Sequence, residues 1–219
     1  MWNLDKENKF EKFKRIWKEF LLFDLEANSD DWWEYNKTEI IEIWAVRLDN
    51  NFNVIKKYDV YIRPTINPIL TPFIQDLTKI TQEKIDSVWV EFEEWVKLFQ
   101  ENKDAIFVSF WKYDIRQLWA DWIKNFHPGL YESNKENPSK FKEDLYEYIQ
   151  NPLYEFYEQT KNHVNIKDVF RKKLWLKRPK WMKWLLDYLQ IPLDWTHHNW
   201  FDDVMNMVKI LHHIEENYN

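Results

Sequence analysis

Four acidic residues and one histidine lie at or near the ends of apolar segments, and together they could bind cations and move a proton. Asp24 and Glu26 close the apolar run FLLFDLEA two residues apart, so both side chains point to one face of a strand. Asp114 follows the apolar run AIFVSF, and Asp203 lies five residues after His198 near the start of the last apolar segment. Carboxylates gathered from separate elements repel one another, so burying them together is costly unless cations neutralise them.

Hard oxygen ligands of this kind select Mg²⁺ or Mn²⁺. Two such ions can hold an attacking water and a leaving oxygen on either side of a phosphorus, and a nearby histidine can take the proton from that water. A structural explanation stands beside this one, because single acids at helix starts, such as Asp114 and Asp203, commonly serve as caps or dipole partners. Asp24 fits that explanation poorly, since an acid pair that closes an apolar strand has no evident packing role.

The segments that would position these residues alternate between strand and helix patterns. Short apolar or alternating runs predict strands at 20–27, 38–49, 53–64 and 105–110, with NNF joining the second and third as a hairpin. Helical patterns follow, at 71–87 (two short helices), 90–102, 113–126, 165–176, 179–191 and 201–217. This order predicts an α/β domain whose first three strands are antiparallel and whose later strand is joined by crossovers.

Bulk composition limits the partners of the chain. The net charge of −6 argues against broad electrostatic coating of a polyanion, so nucleic-acid contact must come from local basic patches or metal ions. Because the chain has no cysteine, we expect no disulfide-linked partner and a cytoplasmic location. The sequence contains no run of about 18 apolar residues, so we predict no membrane-spanning segment. We expect one domain at 19–219, with a lead-in at 1–18 and an insertion at about 128–162.

Three segments, FLLFDLEA, SFWKYD and HHNWFDDVMNMVKI, resemble in this order the exonuclease motifs of the DEDDh (DnaQ-like) 3′–5′ exonucleases. The intervening NPILTPFIQDLTKIT and NIKDVF are similar to the same family in order and spacing, so the resemblance covers about residues 19–217. The FDLEA form and the H-x-x-x-D-D ending are most similar to the exoribonuclease branch that contains KapD and the Eri-type enzymes. Two departures are Lys79, where the family commonly has glycine, and Asn28-Ser29, where it often has Thr-Cys.

The resemblance implies an RNase H-like α/β fold, in which helices flank a central mixed five-stranded sheet. It also implies that two Mg²⁺ or Mn²⁺ ions are bound by four acidic residues: Asp24, Glu26, Asp114 and Asp203. His198 matches the general base, and its five-residue offset to Asp203 favours it over His197. These four acids and His198 would be the catalytic residues.

The implied reaction hydrolyses the terminal phosphodiesters of single-stranded RNA and releases nucleoside 5′-monophosphates. Phe73 is expected to stack on the 3′-terminal nucleotides, near Ala27 at the end of the first motif. The basic segment 171–184 could guide the phosphate backbone through Lys177 and Arg178, or be only a solvated helix face. Two alternatives are a DNA-acting 3′–5′ exonuclease of the proofreading or repair type and a catalytically inactive nucleic-acid-binding module on the same fold.

The chain has 1 glycine and 15 tryptophans, whereas average usage of roughly 7% predicts about 15 glycines. Trp44, Trp111 and Trp200 stand where the family expects glycine, which suits close backbone approach or positive φ. An indole at such positions should overpack the site. We therefore hypothesise that most tryptophans are glycines encoded by UGA and mistranslated. A truly tryptophan-rich protein with aromatic stacking surfaces, or an engineered chain, are the alternatives.

Overall fold

A computed structural model describes residues 19–28, 34–87, 92–148, 163–174, 176–178, 180–193 and 201–218. The strands are β1 (Phe20–Ala27), β2 (Ile40–Leu48), β3 (Val54–Tyr61), β4 (Ile106–Ser109) and β5 (Val164–Asn165). The helices are α1 (Pro72–Thr78), α2 (Gln82–Ser87), α3 (Phe92–Glu101), α4 (Lys112–Phe126), α5 (Pro128–Asn134), α6 (Pro138–Tyr148), α7 (Ile166–Lys173), α8 (Met182–Tyr188) and α9 (Phe201–Tyr218).

The five strands form one mixed sheet in the order β3-β2-β1-β4-β5. The pairs β1–β2 and β2–β3 are antiparallel, whereas β1–β4 and β4–β5 are parallel. The predicted mixed five-stranded sheet, with antiparallel first strands and crossovers to the later ones, is therefore confirmed. Because β1 and β4 run in the same direction, their carboxyl ends lie at the same edge of the sheet, where Asp24 and Asp114 were predicted to meet.

Alternation along the strands divides the core into two layers. Leu22 and Val108 face one side of the sheet and share a buried cluster with Met207 and Leu211 of α9. Their odd-numbered neighbours, such as Phe107, face the other side and pack against α3 and α4. Asp24 and Glu26 have the parity of Leu22, so β1 directs both carboxylates toward the layer that contains α9.

The helix predictions agree with the structure except at their ends. The segment 179–191 forms a shorter helix, α8, and the two short helices within 71–87 are present as α1 and α2. The β2–β3 hairpin is closed by the Asp49 side chain, which accepts hydrogen bonds from the backbone N–H groups of Asn51 and Asn53, both at 2.8 Å.

The predicted insertion contains α5 and α6, whereas residues 149–162 and the predicted lead-in 1–18 lie outside the described residues. The domain boundaries stay predictions. Across the described ranges, no helix combines the length and apolar character that crossing a membrane requires.

Candidate active site

β1 delivers the first two acidic side chains of the candidate site. The strand lies between β2 and β4, and its last residues are opposite β2, with Asp24 paired to Trp44 and Glu26 paired to Glu42. The apolar residues at the start of the strand are completely buried in the core. The two carboxylate side chains that follow them are half-buried. The sheet thus fixes two acids, two residues apart, at the edge where β1 and β4 end.

Asp114 enters the site from the start of α4, just after β4. Its carboxylate Oδ2 accepts a hydrogen bond from the backbone N–H of Trp111 at 3.2 Å, and the Ser109 hydroxyl donates to the Trp111 carbonyl at 2.6 Å. Asp114 is only 2% exposed. The residue therefore does cap the start of α4, and this contact turns its carboxylate toward the end of β1.

Asp203 completes the set from the first turn of α9, beside Asp202. The following residues of α9, including Val204, Met207 and Leu211, are buried in the layer that packs on β1 and β2. This packing places the start of the helix, with its half-buried Asp203, near the carboxyl end of β1.

Electrostatic repulsion links the two acids of β1 to Asp114 and Asp203. Burial raises the pKa of Asp24 well above its usual value, and repulsion from Asp114, Asp203 and Glu26 adds to this shift. Burial also raises the pKa of Glu26, with further repulsion from Glu42, Asp114 and Asp203. These mutual effects require the charges to be near one another, although they come from three separate elements.

Asp114 and Asp203 are perturbed more moderately. Burial raises the pKa of Asp114 to about 7, against the hydrogen bond from the Trp111 backbone N–H that lowers it. Burial, followed by repulsion from Asp202, raises the pKa of Asp203 to about 6. Near neutral pH the cluster therefore resists carrying its full negative charge.

This donor set fits hard divalent cations, because carboxylate oxygens are the ligands that Mg²⁺ and Mn²⁺ prefer and positive charge relieves the repulsion among them. Within the described ranges, no three His, Asp or Glu side chains have the spacing needed to hold one ion. The metal assignment therefore depends on the chemistry of the donors and on their mutual repulsion.

The other predicted site residues differ in what the structure says of them. His197, His198 and Trp200 lie outside the described residues, so the assignment of the general base stays a prediction. Ala27 is half-buried and pairs with Ile40 at the end of β1.

The three remaining predicted substrate contacts are on the surface. Phe73 lies on α1 with 54% of its surface exposed. Lys177 and Arg178 are exposed between α7 and α8. All three are open to a ligand, and their roles in substrate binding stay predictions.

A fifth carboxylate, Glu42, was missed by sequence reasoning. It lies opposite Glu26 in β2 and is only 2% exposed. Burial raises its pKa to about 7; hydrogen bonds from Tyr61 and Trp44 oppose the shift, and repulsion from Asp59 adds to it. The available signal was an acid within the otherwise apolar run IIEIWAV, but only the strand register shows that it faces Glu26.

The backbone at Trp44 and Trp111 does not require glycine. Among the described residues, positive φ occurs at Phe52, Lys79 and Gln190, and Trp111 has an extended φ of −111°. Both indoles are half-buried against the apolar layer that includes α9. The Trp111 ring lies in a crowded place, with Lys167 Nζ 3.0 Å from its centroid and the Trp181 ring centroid 4.7 Å away, so the expectation of overpacking stays a prediction.

The geometry agrees with comparisons to known proteins. The family model described as "Exonuclease" (RNase_T) matches residues 21–169. ERI1 exoribonuclease 2 of Xenopus laevis is 23% identical over 214 residues, which cover 91% of this chain and 28% of the relative. ERI1 exoribonuclease 3 of Homo sapiens is 31% identical over 109 residues, which cover 45% of this chain and 32% of the relative. The chain thus spans less than a third of the length of these curated relatives.

Two solved structures have the same fold. The nuclease domain of 3′hExo, described as a DEDDh family member bound to rAMP, aligns with a TM-score of 0.64 at 17% identity and covers 92% of this chain and 94% of that one. Cell-death related nuclease 4 aligns with a TM-score of 0.63 at 18% identity, over 91% of this chain and 64% of that one. The expected RNase H-like fold is confirmed.

Proposed function

Because this chain belongs to the DEDDh exonuclease family, we propose that it is a metal-dependent 3′–5′ exonuclease. Its reaction hydrolyses the terminal phosphodiesters of single-stranded RNA and releases nucleoside 5′-monophosphates. The observation that carries this proposal is that Asp114 of α4 and Asp203 of α9 both repel, and raise the pKa of, the two half-buried acids at the end of β1. The names of the curated relatives, both exoribonucleases, support RNA as the substrate.

In the proposed site, two Mg²⁺ or Mn²⁺ ions are held by the four motif acids, Asp24, Glu26, Asp114 and Asp203. When bound, such ions supply positive charge that stabilises the attacked phosphate and the leaving oxygen. The Trp111 backbone N–H keeps the Asp114 carboxylate oriented, so that it needs little rearrangement. His198 is proposed to take the proton from the attacking water.

The substrate is proposed to lie across two exposed regions. Phe73, exposed on α1, would stack on a base at the 3′ end, and Ala27, at the end of β1, would contact the same terminal nucleotide. Lys177 and Arg178 would bind backbone phosphates. A local basic surface is needed because the whole chain has a net charge of −6.

The test compares two neighbouring acids of α9 by following 5′-labelled single-stranded RNA with a free 3′ hydroxyl. Wild type should shorten the strand stepwise in Mg²⁺ and not in EDTA. Asp203→Asn should slow trimming by at least about a hundredfold, because it removes a proposed metal ligand. Asp202→Asn, the matched control, should trim within about threefold of wild type, and both variants should melt as wild type does.

Each other outcome has a definite meaning. If D203N trims as fast as wild type, the assignment of the site is wrong. If wild type shortens neither RNA nor DNA in Mg²⁺, the chain is a nucleic-acid-binding module without activity. If matched DNA is degraded much faster than RNA, the proofreading or repair alternative replaces the RNA proposal.

A further inference from the structure

Glu39, which immediately precedes β2, uses its buried carboxylate to bind a distant segment of backbone. One oxygen accepts hydrogen bonds from the Thr65 backbone N–H at 2.8 Å and from the Thr65 hydroxyl at 3.1 Å. The other oxygen accepts from the backbone N–H groups of Ile66 and Asn67, both at 2.8 Å. The side chain thus holds three consecutive amides, and hydrogen bonds to a charged acceptor are stronger than neutral ones.

A second set of contacts joins the same segment to the end of β1. The Asn28 side chain accepts from the Glu39 backbone N–H at 2.7 Å and donates to the Asn67 carbonyl at 2.6 Å. The Asn28 backbone N–H donates to the Glu39 carbonyl at 2.9 Å. Asn28 directly follows Ala27 and is two residues beyond Glu26. The segment 65–67 is therefore bound to the strand that presents the first two acids.

This segment leads directly into α1, where Phe73 is exposed. The Gln82 side chain accepts from the Leu70 backbone N–H at 2.7 Å and donates to the Pro68 carbonyl at 3.0 Å. The Thr71 hydroxyl accepts from the Ile74 backbone N–H and caps α1. Hydrogen bonds thus hold the segment 65–71 to the end of β1 and to α2, and this segment leads directly into α1, which carries Phe73.

The helices α1 and α2 have their own apolar anchor, which does not involve Glu39. A buried cluster packs them onto the sheet: Ile41, Leu70, Ile74, Ile80 and Ile85. Loss of the Glu39 carboxylate should therefore release 65–67 without detaching these helices. The effect expected is a change in the placement of Phe73, not unfolding.

We propose that Glu39 is a positioning residue that holds the segment 65–71 against the carboxyl end of β1. It thereby sets where the 3′-terminal nucleotide of a single-stranded RNA binds relative to the acids. This inference depends on the proposed function, because it assigns a role in binding the substrate of that site. Glu39 itself does not contact the reacting atoms in this assignment.

The test replaces Glu39 with glutamine, which keeps the size of the side chain. The single carbonyl oxygen of glutamine can accept two of the four hydrogen bonds. Its NH₂ group cannot accept the other two, because it would face N–H or O–H donors. The amides of 65–67 should exchange faster with deuterium. In an Asp24→Asn background, affinity for a short RNA with a free 3′ hydroxyl should fall about tenfold by fluorescence anisotropy. In the active protein, KM should rise about tenfold while kcat stays within threefold.

Two further variants support the comparison. Glu34→Gln is the matched control, because Glu34 lies in the same connection and, among the described residues, its carboxylate pairs at 3.3 Å with the exposed Lys37; it should behave as wild type. Thr65→Ala removes one of the four hydrogen bonds and should produce a smaller change in the same direction. This milder variant keeps the test valid if E39Q does not fold.

Several results would overturn the inference. It is wrong if E39Q loosens 65–67 but binds RNA as wild type does, or if kcat falls while KM is unchanged. Exchange and binding are measured without hydrolysis, so a wild type that binds RNA but never trims it contradicts the proposed function alone. A wild type with no affinity for RNA overturns both.

Discussion

At the scale of single residues, Asp114 has the capping contact that its position in the sequence allowed, and this contact does not conflict with its proposed role as a metal ligand. Its carboxylate accepts the backbone N–H of Trp111, as a helix-capping acid does. Capping alone would lower its pKa, yet burial raises that pKa to about 7. Near neutral pH the Asp114 carboxyl is therefore held in one orientation and is partly protonated. A bound cation would lower its pKa and ionise it completely.

Glu42 gives a prediction about pH and stability in the metal-free protein. Its pKa is raised from 4.5 to about 7, so the folded state holds a proton that the unfolded state loses. Stability should fall as pH rises from about 4.5 to 7. Glu42→Gln should remove this cost and raise the free energy of unfolding by about 2–3 kcal/mol at pH 8, with little change at pH 4.

Urea unfolding in EDTA at the two pH values measures this difference. The titratable groups that face Glu42 are Glu26, Tyr61, Asp59 and Lys84. A glutamine at position 42 can still accept the hydrogen bond from Tyr61. Glu94→Gln, on the exposed side of α3, is the control and should have the same small effect at both pH values. Equal stabilisation by E42Q at pH 4 and pH 8 would contradict the prediction.

The four motif acids could be selected as candidates from the sequence because each lies at the end or the start of a recognisable apolar run. Glu42 and Glu39 could not, since their roles depend on contacts with residues far away in the chain. Glu42 matters because strand register places it opposite Glu26, and Glu39 because its carboxylate meets amides 26 to 28 residues further on. Neither register nor loop placement is encoded in local spacing.

At the scale of elements, the strongly periodic segments were predictable and the short irregular ones were not. β5 has only two residues, too few for any hydrophobic alternation, so only the family resemblance implied a fifth strand. Lys79 ends α1 with a φ of 59°, in the left-handed region where glycine is favoured. The departure from the family at Lys79 therefore lies at a position that demands an uncommon backbone conformation.

The connection between α7 and α8 yields a prediction about electrostatics. Replacing Lys177 and Arg178 together with alanine should raise KM for single-stranded RNA several-fold without changing kcat. The slope of log affinity against log salt should decrease in magnitude by about 1.4, which corresponds to two lost phosphate contacts. Titrations of labelled RNA between low and moderate salt measure this slope.

A matched pair of charges at the opposite edge of the sheet provides the control. Lys56 and Lys57 are exposed on β3, the edge strand farthest from β5. Alanine at both should leave the salt slope unchanged if binding is local to the α7–α8 side. Equal loss from the two double variants would mean that the basic residues act only through the total charge of the protein.

At the scale of the whole molecule, the hypothesis of mistranslated glycines depends on the amino-acid composition, because the backbone φ angles at Trp44 and Trp111 do not require glycine. Trp44 and Trp111 have no positive φ, and their indoles are half-buried. A count of 15 tryptophans against 1 glycine still departs far from ordinary usage. Since a single cause acting at the level of the codon would affect all such positions alike, we expect UGA at 44, 111 and 200.

Sequencing the gene and identifying the corresponding peptides by mass spectrometry from the source cells test this directly. UGG codons at all three positions would end the hypothesis. The protein offers an independent measurement, since removing a genuine packed indole leaves a cavity and typically costs about 3–5 kcal/mol in a core. If glycine is the encoded residue, Trp44→Gly with Trp111→Gly should retain cooperative unfolding and trim RNA at least as fast. Large destabilisation with loss of trimming would instead mean that the indoles belong to the native core.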